Sequence, residues 1–462
     1  MDHLSRRDFL KAVGEGALLA TLANGTFVRV AWAQDGSQAA PSDVTVVGLP
    51  ASPDYAEIKK RMKEAVYAAS GDLSWLKPNQ TVAIKVVSNS GKGYPFTTSP
   101  EALKALIEIL KEKEPSTRVI VADQPGIEWV PPSLGNDAVG SAVRKIWGAI
   151  YSGASNGRDV LKMNGLLAAA QSAGAEVQTF DSESDWVRVA PTAHWKNGFR
   201  IPKLYGEVDH VVNLVRPSGH EMAGYTGTLK SWYGWLNPDD RLRSHTVDPS
   251  DPSHNMTNLS DSIAEVADAF KGKTRLNLVA AIGSYADIGP DWGKQPLDQS
   301  MIIASSDMVA ADAVAASLVA HEKNKVPFYD RALNWIENPF QWRTRHSAQD
   351  TAFWAGIQGS PLENLESVFM GLAQPVIHAL HGSDGSNALG GWDAMVRNPQ
   401  PGEAYSLPQI ERARELGIGA QGGVSIKVPQ DAPIDSGVQA DLEKLTDPKS
   451  KGFINSMPNG GK

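Results

Sequence analysis

Apolar and polar positions between residues 44 and 323 switch repeatedly between a period of two and a period near 3.6. Val44 to Leu49 predicts a first strand and Asp54 to Ala69 an amphipathic helix. Thr81 to Val87 is β-branched and mostly apolar, the pattern of a strand buried on both faces. Ser99 then stands as an N-cap with Pro100 in the first turn, and Leu103, Leu106, Ile107 and Leu110 form one helical stripe. Arg118 to Asp123 predicts the next strand, Asp137–Ile150 and Arg158–Gly174 two helices, and Ala175–Phe180 a strand. The series continues with a strand at Asp209–Val215, a helix at Asn258–Phe270 and strands at Leu276–Ile282 and Met301–Ala304. Asp307 caps an alanine-rich helix that runs to about Lys323. Alternation of this kind predicts an α/β fold, a mostly parallel sheet with helices on both faces.

Outside that span the pattern changes. Residues 324–375 are aromatic and helical by pattern. From Gly382 onward the chain is rich in Gly, Pro and Asn, and its last 25 or so residues read as poorly ordered. At the other end, Ser5-Arg6-Arg7-Asp8-Phe9-Leu10-Lys11 precedes an apolar stretch that closes on Ala31-Trp32-Ala33. This is the layout of a twin-arginine signal peptide, and it predicts the twin-arginine export machinery as a partner and a periplasmic or secreted destination. The expected organisation is a signal peptide over 1–33, a linker over 34–43, an N-terminal α/β lobe over 44–215, a second α/β lobe with a helical extension over 216–381, and a Gly/Pro-rich C-terminal extension over 382–462.

Charge and composition narrow the chemistry. Loss of residues 1–33 removes four of the 44 basic and three of the 52 acidic side chains, which leaves a net charge of −9. A balance this acidic argues against nucleic acid as a partner. No later apolar run reaches membrane-spanning length, so no transmembrane segment is expected in the mature form. The chain has no cysteine, which excludes disulfides, thiolate-bound clusters and a cysteine nucleophile. Any transition metal must be held by His, Asp or Glu.

The densest polar grouping is His220-Glu221-Met222-Ala223-Gly224-Tyr225-Thr226-Gly227-Thr228-Leu229-Lys230, reached directly from the strand that ends at Val215-Arg216-Pro217. Ligands of parallel sheets sit beyond the carboxyl ends of strands, where this block falls. His220 could act as general base or metal ligand, and Lys230 as a carboxylate anchor or covalent attachment point. Arg216, Gly224, Tyr225, Thr226 and, from the first lobe, Lys85 are candidate substrate-binding residues; Asp123 joins Lys85 as a second-tier candidate. Further on, His245, Asp248, Asp251 and His254 recur at intervals of three. An extended segment would spread these over steps of about 9 Å, too far for one ion, so we expect His245 alone to join His220 at a metal.

These residues carry a resemblance. The chain resembles exported members of domain-of-unknown-function family 362 from about Val44 to Lys323: in Ile84-Lys85-Val86 and its Ser-Gly-Lys-Gly-Tyr-Pro loop, in Phe199–Lys203, in Asn213–Lys230 and in Asp307 to Asp312. More distantly it is similar to the nickel-dependent lactate racemase family. Members of that family place Ala-Gly-aromatic-Ser-Gly-Gly after a histidine, and a lysine ten residues beyond the histidine. His220, Ala223–Thr228 and Lys230 keep that spacing, and His245 lies near the position of the racemase metal-binding histidine. The resemblance implies two lobes around a cleft, Lys230 as the cofactor tether, His245 as a metal ligand and His220 as acid/base. Two features differ: Ser88–Gly93 replaces the racemase Asp-x-x-Arg-Pro motif, and no histidine lies between His3 and His194. The expected function is a metal- or cofactor-dependent, racemase- or epimerase-like isomerase acting on a small carboxylate or hydroxy acid. The competing expectation is a non-catalytic periplasmic protein that binds a metal or an organic anion.

Overall fold

A computed structural model describes residues 40–89, 91–126, 156–220, 223–245, 259–288, 292–325 and 400–450. Their centre is an eight-stranded sheet. In chain order its strands are β1 (Ser42–Leu49), β2 (Thr81–Val86), β3 (Arg118–Ala122), β4 (Glu176–Gln178), β7 (His210–Val215), β10 (Thr274–Ala281), β13 (Ser300–Ser305) and β14 (Val424–Lys427). Their spatial order is β14-β1-β13-β10-β7-β2-β3-β4. Five of the seven pairings are parallel; β13 alone runs against its neighbours β1 and β10. The α/β fold with a mostly parallel sheet is therefore the one the pattern predicts. The sheet also draws strands from both sides of residue 216.

Strand alternation sorts side chains onto two faces. Val82, Ile84 and Val86 of β2 and Val212 and Leu214 of β7 enter one core with helices α1 (Tyr55–Ser70) and α2 (Pro100–Lys113). Ala83, Val211, Val215 and Val279 enter the other, and so do side chains from α7 (Leu259–Phe270), α8 (Met308–Lys325), α9 (Pro408–Glu415) and α10 (Ser436–Leu445). Capping follows the sequence: Asp54 and Ser99 accept from Glu57 N and Ala102 N, and Asp307 Oδ1 accepts from Val309 N and Ala310 N.

Two expectations need correction. The helix predicted over Arg158–Gly174 is two short ones, α3 (Gly157–Met163) and α4 (Leu166–Ser172), because Gly165 between them has φ +87°, outside the right-handed region. The final residues are not uniformly irregular: α10 is capped by Asp435 and buries Val438, Leu442 and Leu445 at helical spacing. The predicted signal peptide, the helix over Asp137–Ile150 and the helical pattern beyond residue 325 lie outside the described residues.

Two hairpins complete the set, β5 (Trp186–Val189) with β6 (Phe199–Pro202), and β8 (Ser218–His220) with β9 (Gly224–Thr226). The second belongs to a four-stranded sheet with β11 (Ser284–Ile288) and β12 (Trp292–Pro296). Short helices α5 (Leu204–Glu207) and α6 (Pro238–His245) flank the segment of interest. Among the described residues no helix is long and apolar enough to cross a membrane.

Candidate functional site

The order of strands locates the site. From β2 the chain moves outward through β3 to β4, then returns to lay β7 on the opposite side of β2 and moves on to β10. The direction of winding thus reverses between β2 and β7, and open α/β sheets bind ligands at the carboxyl ends flanking such a reversal. Ser88 and Asn89 follow β2 there, Asp123 and Gln124 follow β3, and Arg216 follows β7.

On the sheet face that carries Val211 and Val215, a row of polar side chains crosses four strands. Lys85 is in register with Asn213, Asn213 with Asn277, and Asn277 with Ser305. The segment from Thr226 to Trp235, including the 3-10 helix Lys230–Trp235, lies on this row. Asn213 Nδ2 donates to Thr228 O at 2.9 Å and its Oδ1 accepts from Ser231 Oγ at 2.9 Å. Gln124 N donates to Gly234 O at 2.8 Å, and Trp235 Nε1 to Ala122 O at 2.9 Å. From α8, Asp312 Oδ1 accepts from Thr228 Oγ1 at 3.1 Å and Leu229 N at 3.2 Å, while its Oδ2 accepts from the Tyr225 hydroxyl. Close approach is enforced by glycine. A Cβ on Gly227 would stand 2.1 Å from Asp312 Oδ1, and one on Gly234 2.1 Å from Asp123 Oδ1.

Beneath Gly234, Lys85 Nζ lies 3.0 Å from Asp123 Oδ1 and also donates to Val86 O. Both side chains are fully buried. Burial pushes the Lys85 amine down and the Asp123 carboxyl up to about 6, with Lys85 and Arg241 pulling Asp123 back toward the charged form. Burial raises Asp312 to about 6 as well, against its hydrogen bonds from Tyr225, Leu229 and Thr228. Each of these carboxyls thus exchanges its proton closer to neutral pH than an exposed aspartate.

The predicted site residues fall as follows. Arg216 is fully buried and donates to Phe96 O at 3.1 Å, which ties the end of β7 to the loop after β2. His220 ends β8 opposite Gly224 and is buried; its Nδ1 accepts from Ala223 N at 3.2 Å. Tyr225 is opposite Gly219 and turns its hydroxyl to Asp312; Thr226 is opposite Ser218 and buried. Lys230 is buried, with its amine 4.7 Å from the centre of the Tyr233 ring. Lys85 is engaged with Asp123 in the sheet. His245 ends α6, and its side chain lies outside the described residues, as do Asp248, Asp251 and His254. Among the described residues no group of three or more His, Asp or Glu side chains is arranged to hold a metal ion.

Sequence reasoning gave no role to Asn213, Asn277, Asp312 or Gln124. Two of these announce themselves: Asn213 interrupts His-Val-Val-Asn-Leu-Val, and Asn277 interrupts Leu-Asn-Leu-Val-Ala-Ala. A single amide inside an otherwise apolar central strand is costly unless it is paired, and so marks a partner to be found.

Among the described residues, the buried polar atoms without a hydrogen-bond partner include Asn89 Nδ2, Gln124 Nε2 and Thr226 Oγ1. They stand after β2, after β3 and in β9. A family model described as a domain of unknown function, DUF362, matches residues 76–317, just over half of the 462 residues, and this span holds every element of the site. No curated protein matches the chain.

Proposed function

We propose that this protein, which belongs to the DUF362 family, takes up a small carboxylate or hydroxy acid at the carboxyl ends of β2, β3 and β7, and that its chemistry is of the racemase or epimerase type, with His220 moving the proton. The observation that carries the reading is the set of three buried, unsatisfied groups, Asn89 Nδ2, Gln124 Nε2 and Thr226 Oγ1. Two are N–H donors and the third is a hydroxyl that can donate. Each left unmade costs about 1–3 kcal/mol, and a ligand rich in oxygen acceptors would offset that cost. Two buried basic residues, Arg216 and Lys230, complement a negative charge.

The hydrogen bond at His220 argues against metal ligation in this arrangement, and to take up a proton the ring must first release Ala223 N. Its Nδ1 accepts from Ala223 N, so the neutral ring carries its proton on Nε2. A metal-bound histidine ordinarily donates through its second nitrogen instead. Lys230 remains the residue we propose as carboxylate anchor or cofactor tether; a metal would require His245 as well. We also propose export by the twin-arginine pathway, on the Ser5–Lys11 pattern. Replacing Arg6 and Arg7 by Lys should leave the protein in the cytoplasmic fraction.

The binding test is thermal and calorimetric titration with D- and L-lactate, glycolate, malate and tartrate. A ligand at a hundred times its Kd stabilises the folded state by about 2.7 kcal/mol. Gln124→Leu and Thr226→Val should weaken binding at least tenfold. Failure of all five acids to bind would overturn the reading. Intact mass of the exported protein, with and without Lys230→Ala, separates tether from anchor.

A further inference from the structure

Lys230 is the first residue of its 3-10 helix and has buried contacts on either side. Thr228 O and the Ser231 hydroxyl, which bracket it in sequence, both end on one amide, that of Asn213. Asn213 is fully buried in the middle of β7, where its strand neighbours are valine and leucine. Its amide is part of a chain: Nδ2 also faces Asn277 Oδ1 at 3.4 Å, and Asn277 Nδ2 lies 3.5 Å from Ser305 O and Ser306 O. A branched apolar residue would fill β7 without desolvating an amide, so the hydrogen bonds are what this position gains. They hold the backbone at residue 228 and the side chain of Ser231, whose hydroxyl also lies 2.9 Å from Thr228 O, and so set the direction in which the Lys230 side chain leaves the loop.

We propose that Asn213 is a positioning residue for Lys230, acting through Thr228 and Ser231 to hold the amine against the Tyr233 ring. The proposal deepens the site reading above, in which Lys230 is anchor or tether, but its test requires no ligand.

The experiment is brief acetylation of the folded protein across pH 6–10, with peptide-level mass spectrometry of Lys230 and Lys85. In Asn213→Ala the Lys230 rate should rise at least tenfold and its pH midpoint should move, while Lys85, on the same sheet face, stays protected. Ser231→Ala removes the other half of the grip and should move Lys230 in the same direction, which keeps the test open if Asn213→Ala does not fold. Asn277→Ala cuts the amide chain below the loop and should leave Lys230 within twofold of wild type. An unchanged Lys230 profile in Asn213→Ala or Ser231→Ala overturns the proposal. So does an equal effect from Asn277→Ala, or release of Lys85 and Lys230 together, since either would make the contact a general support of the sheet. Failure of every acid to bind would remove the proposed ligand and leave this result untouched.

Discussion

Gly234→Ala is the sharpest perturbation the site offers. The added methyl carbon would stand 2.1 Å from Asp123 Oδ1 and 2.7 Å from Lys85 Nζ, both closer than the 3.0 Å within which real Cβ atoms are not found. Relief requires a shift of about 1 Å, and both side-chain ends are buried and paired with each other, which leaves them little room to give. Asp123 follows β3, Lys85 is inside β2, and the glycine backbone is held by Gln124 N. Overpacking alone costs about 1–3 kcal/mol. If the strain separates the buried ion pair instead, breaking such a pair costs about 3–5 kcal/mol. We expect a loss of about 2–5 kcal/mol, a large share of the ~5–15 kcal/mol by which domains are stable. Urea unfolding with an unchanged m-value is the assay. Gly93→Ala, where a Cβ meets nothing within 4 Å, is the control and should stay within about 0.5 kcal/mol of wild type. Combining Gly234→Ala with Asp123→Ala should be markedly non-additive, because the second change removes the atom the first collides with. If Gly234→Ala is no more destabilising than Gly93→Ala, the 3-10 helix does not rest on the Lys85–Asp123 pair.

Asp123→Ala alone leaves Lys85 charged or desolvated in the sheet and should destabilise by about 3–5 kcal/mol, whereas Lys85→Met with Asp123→Leu should recover most of it in the same urea series. Asp312 has a folded-state pKa of about 6, above its ordinary value, so its contribution to stability is fully present below about pH 4 and is lost as pH rises through 6. Relative to wild type, Asp312→Asn should therefore gain stability between pH 4 and pH 7; a flat or opposite difference would refute the burial argument. Glu265 has the reverse sign. Burial raises it, but hydrogen bonds from His194, Thr192 and Arg412 outweigh that and hold it at about 2, so its contribution is present above about pH 4.5 and lost as pH falls toward 2. Glu265→Gln should flatten the acid limb of the stability curve, and Arg412→Ala, by letting the Glu265 pKa rise toward its ordinary value, should flatten it in part. Asp307→Ala removes a helix cap and the acceptor of Ser42 Oγ and Ala420 N together, and should cost more than the ~1 kcal/mol of a cap alone.

The parallel strands and their helices were legible because a strand buried on two faces and a helix buried on one leave different periods. The switch at Gly165 was not, since one glycine within an Ala- and Leu-rich stretch is compatible with a continuous helix until the chain is seen to turn there. Strand β14 and the β8–β9 hairpin escaped for a related reason. They are three or four residues long, too short to show alternation, and are fixed by their neighbours. Within the site, the block from Arg216 to Lys230 stood out by its charges and glycines. What underlies it did not, because Asn213, Asn277 and Asp312 are separated by up to a hundred residues and meet only through strand register and helix packing. Tyr225 is a case in point: its hydroxyl donates to Asp312, a partner that its place in the motif does not announce.

The placement of β1 and β14 bears on how this protein can be cut. Both lie outside residues 76–317, yet β1 is the partner that covers one side of β13. A fragment trimmed to the family boundaries would leave Ser-Met-Ile-Ile-Ala-Ser as a bare sheet margin, apolar on both sides and ready to pair with a second fragment. Anyone expressing the catalogued core alone should expect self-association, and should retain residues 40–75 and 400–450 to keep that margin closed.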